Sequence, residues 1–183
     1  MHIHIFWDAL APAGLQLPVI RNIAAITGLS VTGGENRVRL TGYAGSRKQL
    51  DAAALLDSMN AYRRRHHITD PILLVLSQDL FSPGHSSVFG LARENERVAV
   101  VSSARLNNEF YNKNPDDNDL IDRLTKEGAH ETGHLFGLSH CTDPECIMFR
   151  PDTLAELDRK RKTFCSTCRL QLDERLLDPD GGR

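Results

Sequence analysis

The sequence lacks a dominant charge, a long apolar run and an abundance of cysteine. Its 22 lysines and arginines stand against 24 aspartates and glutamates, a formal net charge of −2, so no broad field of one sign is present to draw in a polyanion. Nucleic acid is therefore not an expected partner. No segment approaches the roughly 18 uninterrupted apolar residues of a spanning helix, and no membrane partner is expected either. The start, MHIHIFWDALAPAG, has no basic stretch followed by an apolar one and does not read as a secretion signal. The expected location is the cytoplasm. In that reducing compartment four cysteines at short spacings point to metal ligands, whereas a secreted chain would leave disulfide pairing open. With 183 residues the chain buries about two-thirds of its unfolded surface and needs no cross-link to form a core. One domain over residues 1–183, acting as a monomer, is the expectation.

What is present begins with alternation. His2 to Trp7 places isoleucines on one side of a strand, and Leu17 to Ile26 has apolar residues at helical spacing before Gly28, a C-cap position. Two short strands are expected at Ser30–Thr32 and Arg37–Thr41, turning at Gly33 and Gly34. Gln49 to His67 reads as a helix with Leu50, Ala53, Ala54, Met59 and Tyr62 on one side, and Arg63, Arg64 and Arg65 suit its negative end. Ile72 to Leu76 reads as a buried central strand, Phe81 to Ser87 as loop, and Val88–Ala92 and Val98–Ser102 as strands. A third helix should begin near Asp119 and end at Gly137. Two more are expected, over Pro151–Lys162 and Arg169–Leu177, before a frayed tail from Asp178 with Pro179, Gly181 and Gly182. Such an order suits an α+β fold, a twisted mixed sheet with helices packed on it.

The stretch HETGHLFGLSHCTDPECIM, from His130 to Met148, concentrates the chemistry. On a helix His130 and His134 project from one face and reach one ion, while Glu131 is rotated to contact a water on that ion. Zinc held by three neutral histidines keeps a fourth position for water, and the glutamate is then the general base. The third ligand cannot lie further along a straight helix. Gly137 ends it with φ > 0 and turns the chain, so that His140 meets the ion from below. The full HExxHxxGxxH pattern is the signature of metzincin peptidases, and Met148 is the candidate for their methionine turn, an apolar floor under the imidazoles. Cys141 and Cys146, with Cys165 and Cys168, form two clasps able to supply the four thiolates of a closed structural zinc site.

Together these residues resemble the archaemetzincins, a metzincin subgroup in which the histidine motif runs directly into cysteine, a second cysteine, methionine and a later CxxC. Residues 130–168 carry the resemblance, and SSVFGLARENERVAVVSSARL upstream adds to it. It implies a zincin-like fold with a catalytic and a structural Zn2+. Residues 1–137 would form an upper subdomain with the sheet and active-site helix; residues 138–183 would form a small, zinc-stapled lower one. It also implies that Val88–Ala92 is the edge strand that pairs with an extended peptide or polypeptide substrate.

Other signals carry less. Arg150 stands where several metzincins have a tyrosine, and reads as a surface cation; His85 lies in a loop near the edge strand, within reach of substrate, but reads as an ordinary loop residue. His2 and His4 alternate as strand-borne ligands can, but no partner lies near them in sequence, so they read as a solvent-facing pair. Arg63–Arg65 with His66 and His67 read as a solvated helix end. Against the peptidase stand two alternatives: a catalytically silent, peptide-binding two-zinc protein, and a non-peptidase zinc hydrolase. The bacterial ribosomal-RNA-maturation endoribonuclease family, which has similar histidine spacing, lacks the glutamate present here as Glu131.

Overall fold

Alternation in the first strand decides which layer each element joins. In β1 (His2–Trp7) every second side chain, Ile3, Ile5 and Trp7, is buried, and β1 pairs in parallel with β2 (Ser30–Glu35) and β5 (Ile72–Leu76). The computed structural model describes residues 1–177; the expected tail from Asp178 lies outside them. β9 (Val98–Ser102) continues the parallel order on β5, and β8 (Gly90–Arg93) closes the sheet antiparallel to β9, giving β2-β1-β5-β9-β8. β5 is buried throughout, as its unbroken apolar run requires.

The two faces of this sheet are covered by different helices. Ile3, Ile5, Leu73, Val75, Ala99 and Val101 pack with Val19 and Ile23 of α1 (Gln16–Thr27) and Leu124 and Ala129 of α3 (Asp117–Leu135). Ile72, Leu74, Val98 and Val100 pack with Leu55, Leu56 and Met59 of α2 (Ala52–Arg65). Gly28 caps α1 at φ 76°, and Asp116 caps α3 by accepting from the Asn118 and Asp119 amides, two residues earlier than expected. Below α3 lie α4 (Leu154–Arg159), opened by a Thr153/Glu156 capping box, and α5 (Ser166–Leu177).

Four expectations need correction. Gly33 and Gly34 make no turn, because β2 runs through both in register with Ile5 and Phe6. A side chain at Gly33 would strike Ile20, so that glycine admits α1 rather than bending the chain. Residues 37–41 are not a strand; Asn36 ties its own loop by accepting from the Val38 amide (2.8 Å) and donating to the Val38 carbonyl (3.1 Å). The helix expected from Gln49 starts at Ala52, with Asp51 accepting from the Ala53 and Ala54 amides; Gln49–Asp51 is strand β4. The loop expected at Phe81–Ser87 is a hairpin of β6 (Leu80–Ser82) and β7 (His85–Val88), turning near Gly84 at φ 84°. With β3 (Tyr43–Ala44) they make a second sheet, β3-β4-β6-β7.

Polar ties fasten α3 to α4. Arg123 donates to both Asp158 carboxylate oxygens at 2.6 and 2.9 Å, and Lys126 donates to the Asp158 carbonyl. Lys160 and Glu127, 3.1 Å apart, are almost wholly buried. Replacing Lys160 by Met leaves Glu127 without its cation and is expected to cost about 3–5 kcal/mol in urea unfolding, whereas a Lys160→Met/Glu127→Leu double variant recovers most of it. A single variant within about 1 kcal/mol of wild type would show that the pair carries no such charge.

Candidate active site

α3 delivers His130 and His134 from one face, and local carbonyls set their tautomers. His130 Nδ1–H donates to the Ile147 carbonyl at 2.8 Å and His134 Nδ1–H to the Leu138 carbonyl at 2.7 Å. Both rings therefore present Nε2 inward, and these two atoms are 3.1 Å apart. That is close to the separation of about 3.3 Å between two ligands across one tetrahedral ion with nitrogen donors. Gly137 takes φ 82°, its amide returning to the His134 carbonyl at 3.0 Å. The chain reverses there and brings the His140 ring to 4.7 Å from that of His134 and 5.3 Å from that of His130. The three histidines form one group able to hold a metal ion.

Electrostatics favour ligands in their neutral form. Burial holds the His130 imidazole well below the ordinary histidine range, Lys160 and His134 adding to the effect; burial also lowers His134 and His140. Neutral imidazole is the form a metal takes. Beside them Glu131 Oε2 is buried with no hydrogen-bond partner among the described residues. Burial raises the carboxyl well above its usual range, with Glu127 reinforcing and Lys160 opposing the shift. An orphaned carboxylate oxygen next to three convergent imidazoles fits a bound metal with water on it. Met148 lies fully buried beneath, in a place that exists because Gly133 has no side chain to meet its sulfur.

These residues line a cleft of about 790 Å³, with Gly90, Leu91 and Ala92 along one wall and His85 and Arg150 also lining it. The expected edge strand is β8, which starts two residues later and ends one residue later than Val88–Ala92, and it is terminal in the sheet. Arg150 is an exposed cation, as expected, and donates to His85 Nε2 at 2.8 Å.

The cysteines gather separately. Cys141, Cys146, Cys165 and Cys168 form a second group able to hold a metal, all four as free thiols. Cys141 and Cys165 sulfurs are 3.8 Å apart, matching the edge of about 3.8 Å of a tetrahedron with Zn–S near 2.3 Å. The Met148 and Cys165 amides donate to Cys146 Sγ at 3.4 and 3.2 Å. The Cys141 amide donates to the Met148 carbonyl at 2.8 Å, so the neighbours His140 and Cys141 face different clusters across one tied turn.

The ten motif residues between His130 and Cys168 thus fall into these two clusters and their supports. Reading the sequence missed Gly90. A Cβ there would lie 2.6 Å from Glu131 Oε1 and 2.8 Å from the Val100 carbonyl, and a glycine inside a strand pattern is the signal of such an approach. Gly90→Ala is expected to push Glu131 aside and lower peptide cleavage about 10²-fold with metal content unchanged. Unaltered cleavage would mean the carboxylate has room to spare.

Comparison with known proteins follows the same outline. The model of Peptidase family M54 matches residues 37–174. The archaemetzincin of Methanopyrus kandleri is 42% identical over 126 residues, 69% of this chain and 67% of that protein. Among solved structures, a zinc-dependent peptidase from Methanocorpusculum labreanum is similar with TM-score 0.89 and 45% identity, over 93% of this chain and 99% of that one. The M. kandleri archaemetzincin structure gives TM-score 0.81 and 34% identity, over 97% and 96%.

Proposed function

This chain belongs to peptidase family M54 and is a zinc metallopeptidase of zincin-like α+β fold; on that premise we propose that His130, His134 and His140 hold the zinc at the reacting centre and that Glu131 is the general base. The observation that carries this is the buried, unpartnered Glu131 oxygen beside three convergent imidazoles in one cleft. When bound, zinc would supply a Lewis acid that lowers the pKa of a water toward neutrality. Glu131 accepts a proton from the attacking water and passes it to the nitrogen of the departing amine. β8 offers its unpaired edge to an extended peptide, which adds as a further strand along the cleft.

Cys141, Cys146, Cys165 and Cys168 hold a second zinc. Four thiolates leave no position for water and neutralise the ion, so this site is structural. The chain acts as a monomer and one catalytic domain, residues 1–137 carrying the sheet and α3 and residues 138–183 the third histidine, the Met148 turn and the cysteine site. Among the described residues no helix is long and apolar enough to cross a membrane; the cytoplasm is the proposed place of action. Treating the purified chain with a zinc chelator is expected to abolish cleavage of a broad peptide library, and added Zn2+ to restore it. A protein that retains zinc and hydrolyses nothing would instead be the silent, peptide-binding form.

A further inference from the structure

The histidines of the first strand are not a solitary pair. Asp70, 66 residues beyond His4 in the chain, is brought beside them because β1 and β5 are parallel neighbours and Asp70 sits just before β5. The His4 amide donates to the Pro71 carbonyl at 2.9 Å, locking the start of β5 against β1 at this level. One carboxylate oxygen, Asp70 Oδ2, lies 3.1 Å from His2 Nδ1 and 3.5 Å from His4 Nε2. We propose that His2, His4 and Asp70 form a further metal site, separate from both clusters described above, that takes a divalent transition ion such as Zn2+, Ni2+ or Cu2+.

Four features support an ion over a plain ion pair. First, 3.5 Å is long for a hydrogen bond yet close to the separation of about 3.3 Å between two ligands of one ion. Second, His4 Nδ1 is engaged with Thr32 Oγ1 at 2.8 Å, the outer contact that orients a ligating imidazole and leaves Nε2 free toward the metal. Third, the His2 and His4 rings are 4.6 Å apart and steeply inclined, as are His130 and His134 at the same separation. Fourth, two imidazoles and a carboxylate are a donor set that suits borderline ions and disfavours Ca2+ and Mg2+, which take oxygen. All three side chains are partly exposed, so an ion can enter and the remaining positions can hold water.

The location makes this a distinct site. His2, His4 and Phe6 share the face of β1 that meets α2, where Phe6 lies against Tyr62. α3 covers the opposite face. In register, His4 aligns through Ile72 and Val98 with Arg93, the far end of β8 from Gly90. The sheet itself separates the ion from the catalytic cleft, and the site clips the start of β1 to the segment entering β5.

Zinc uptake by the zinc-loaded full chain, starting at Met1 and without a histidine tag, tests the proposal by equilibrium dialysis and elemental analysis. Wild type is expected to bind one more equivalent of Zn2+ than Asp70→Ala or His2→Ala, with peptide cleavage equal in all three. The same uptake in all three proteins would overturn the site. A loss of cleavage in parallel would overturn its separateness from the cleft. Because the comparison is a difference between variants, it holds whatever the other two clusters contain. In the unmutated chain, substoichiometric Ni2+ should broaden the His2 and His4 ring proton signals before those of His66 and His67. Broadening of the latter pair first would place the ion elsewhere.

Discussion

Glu131→Gln is expected to lower kcat for peptide cleavage about 10²–10⁴-fold, the range for removing a general base, while leaving the zinc content unchanged. The amide has the volume of the carboxyl and fills the same space between α3 and Gly90, so packing is conserved. None of the three imidazoles or their carbonyl partners at Ile147 and Leu138 is touched. What the variant lacks is an oxygen that can take up a proton and give it back. Steady-state cleavage with elemental analysis of the same sample measures both quantities. Activity within about tenfold of wild type would remove Glu131 from proton transfer and leave it only a packing role.

Cys168→Ser is expected to release one zinc per chain and to destabilise the fold by more than about 4 kcal/mol, the range diagnostic of losing a metal or a comparable anchor. Among the described residues, the segment after Gly137 contains only α4, of six residues, and α5, of twelve. Its apolar contribution is a few side chains, Leu138, Ile147, Met148, Leu157, Phe164 and Leu172 among them, joined to the main core. On the proposed assignment, a zinc held by the four thiolates would give this part the cross-link its size requires. Zinc stoichiometry and the urea midpoint, taken together, check the expectation. Retention of both ions at an unchanged midpoint would mean that the cysteines are ordinary core residues.

The legibility of the sequence tracked the range of the interactions. His130, Glu131, His134, Gly137 and His140 lie within eleven residues, and helix geometry plus one left-handed glycine relates them without knowledge of the rest of the fold. β5 was readable because burial on both faces demands an unbroken apolar run. β3, β4, β6 and β7 were not, since strands of two to four residues are too short to display alternation. Gly33 and Gly34 carry the composition of a turn, and only the approach of Ile20 shows why they belong in a strand. Asp70 and Lys160 gain their partners from strand pairing and helix packing across long stretches of chain, information that no local pattern contains.

If both clusters hold zinc as proposed, the Cys141 amide tied to the Met148 carbonyl couples them thermodynamically. Ordering that turn for one ion reduces the entropy left to lose when the other binds, and linkage requires the benefit to be equal in both directions. Zinc limitation would then silence the peptidase over a narrower concentration interval than independent occupancy allows, giving the chain a threshold response to metal supply.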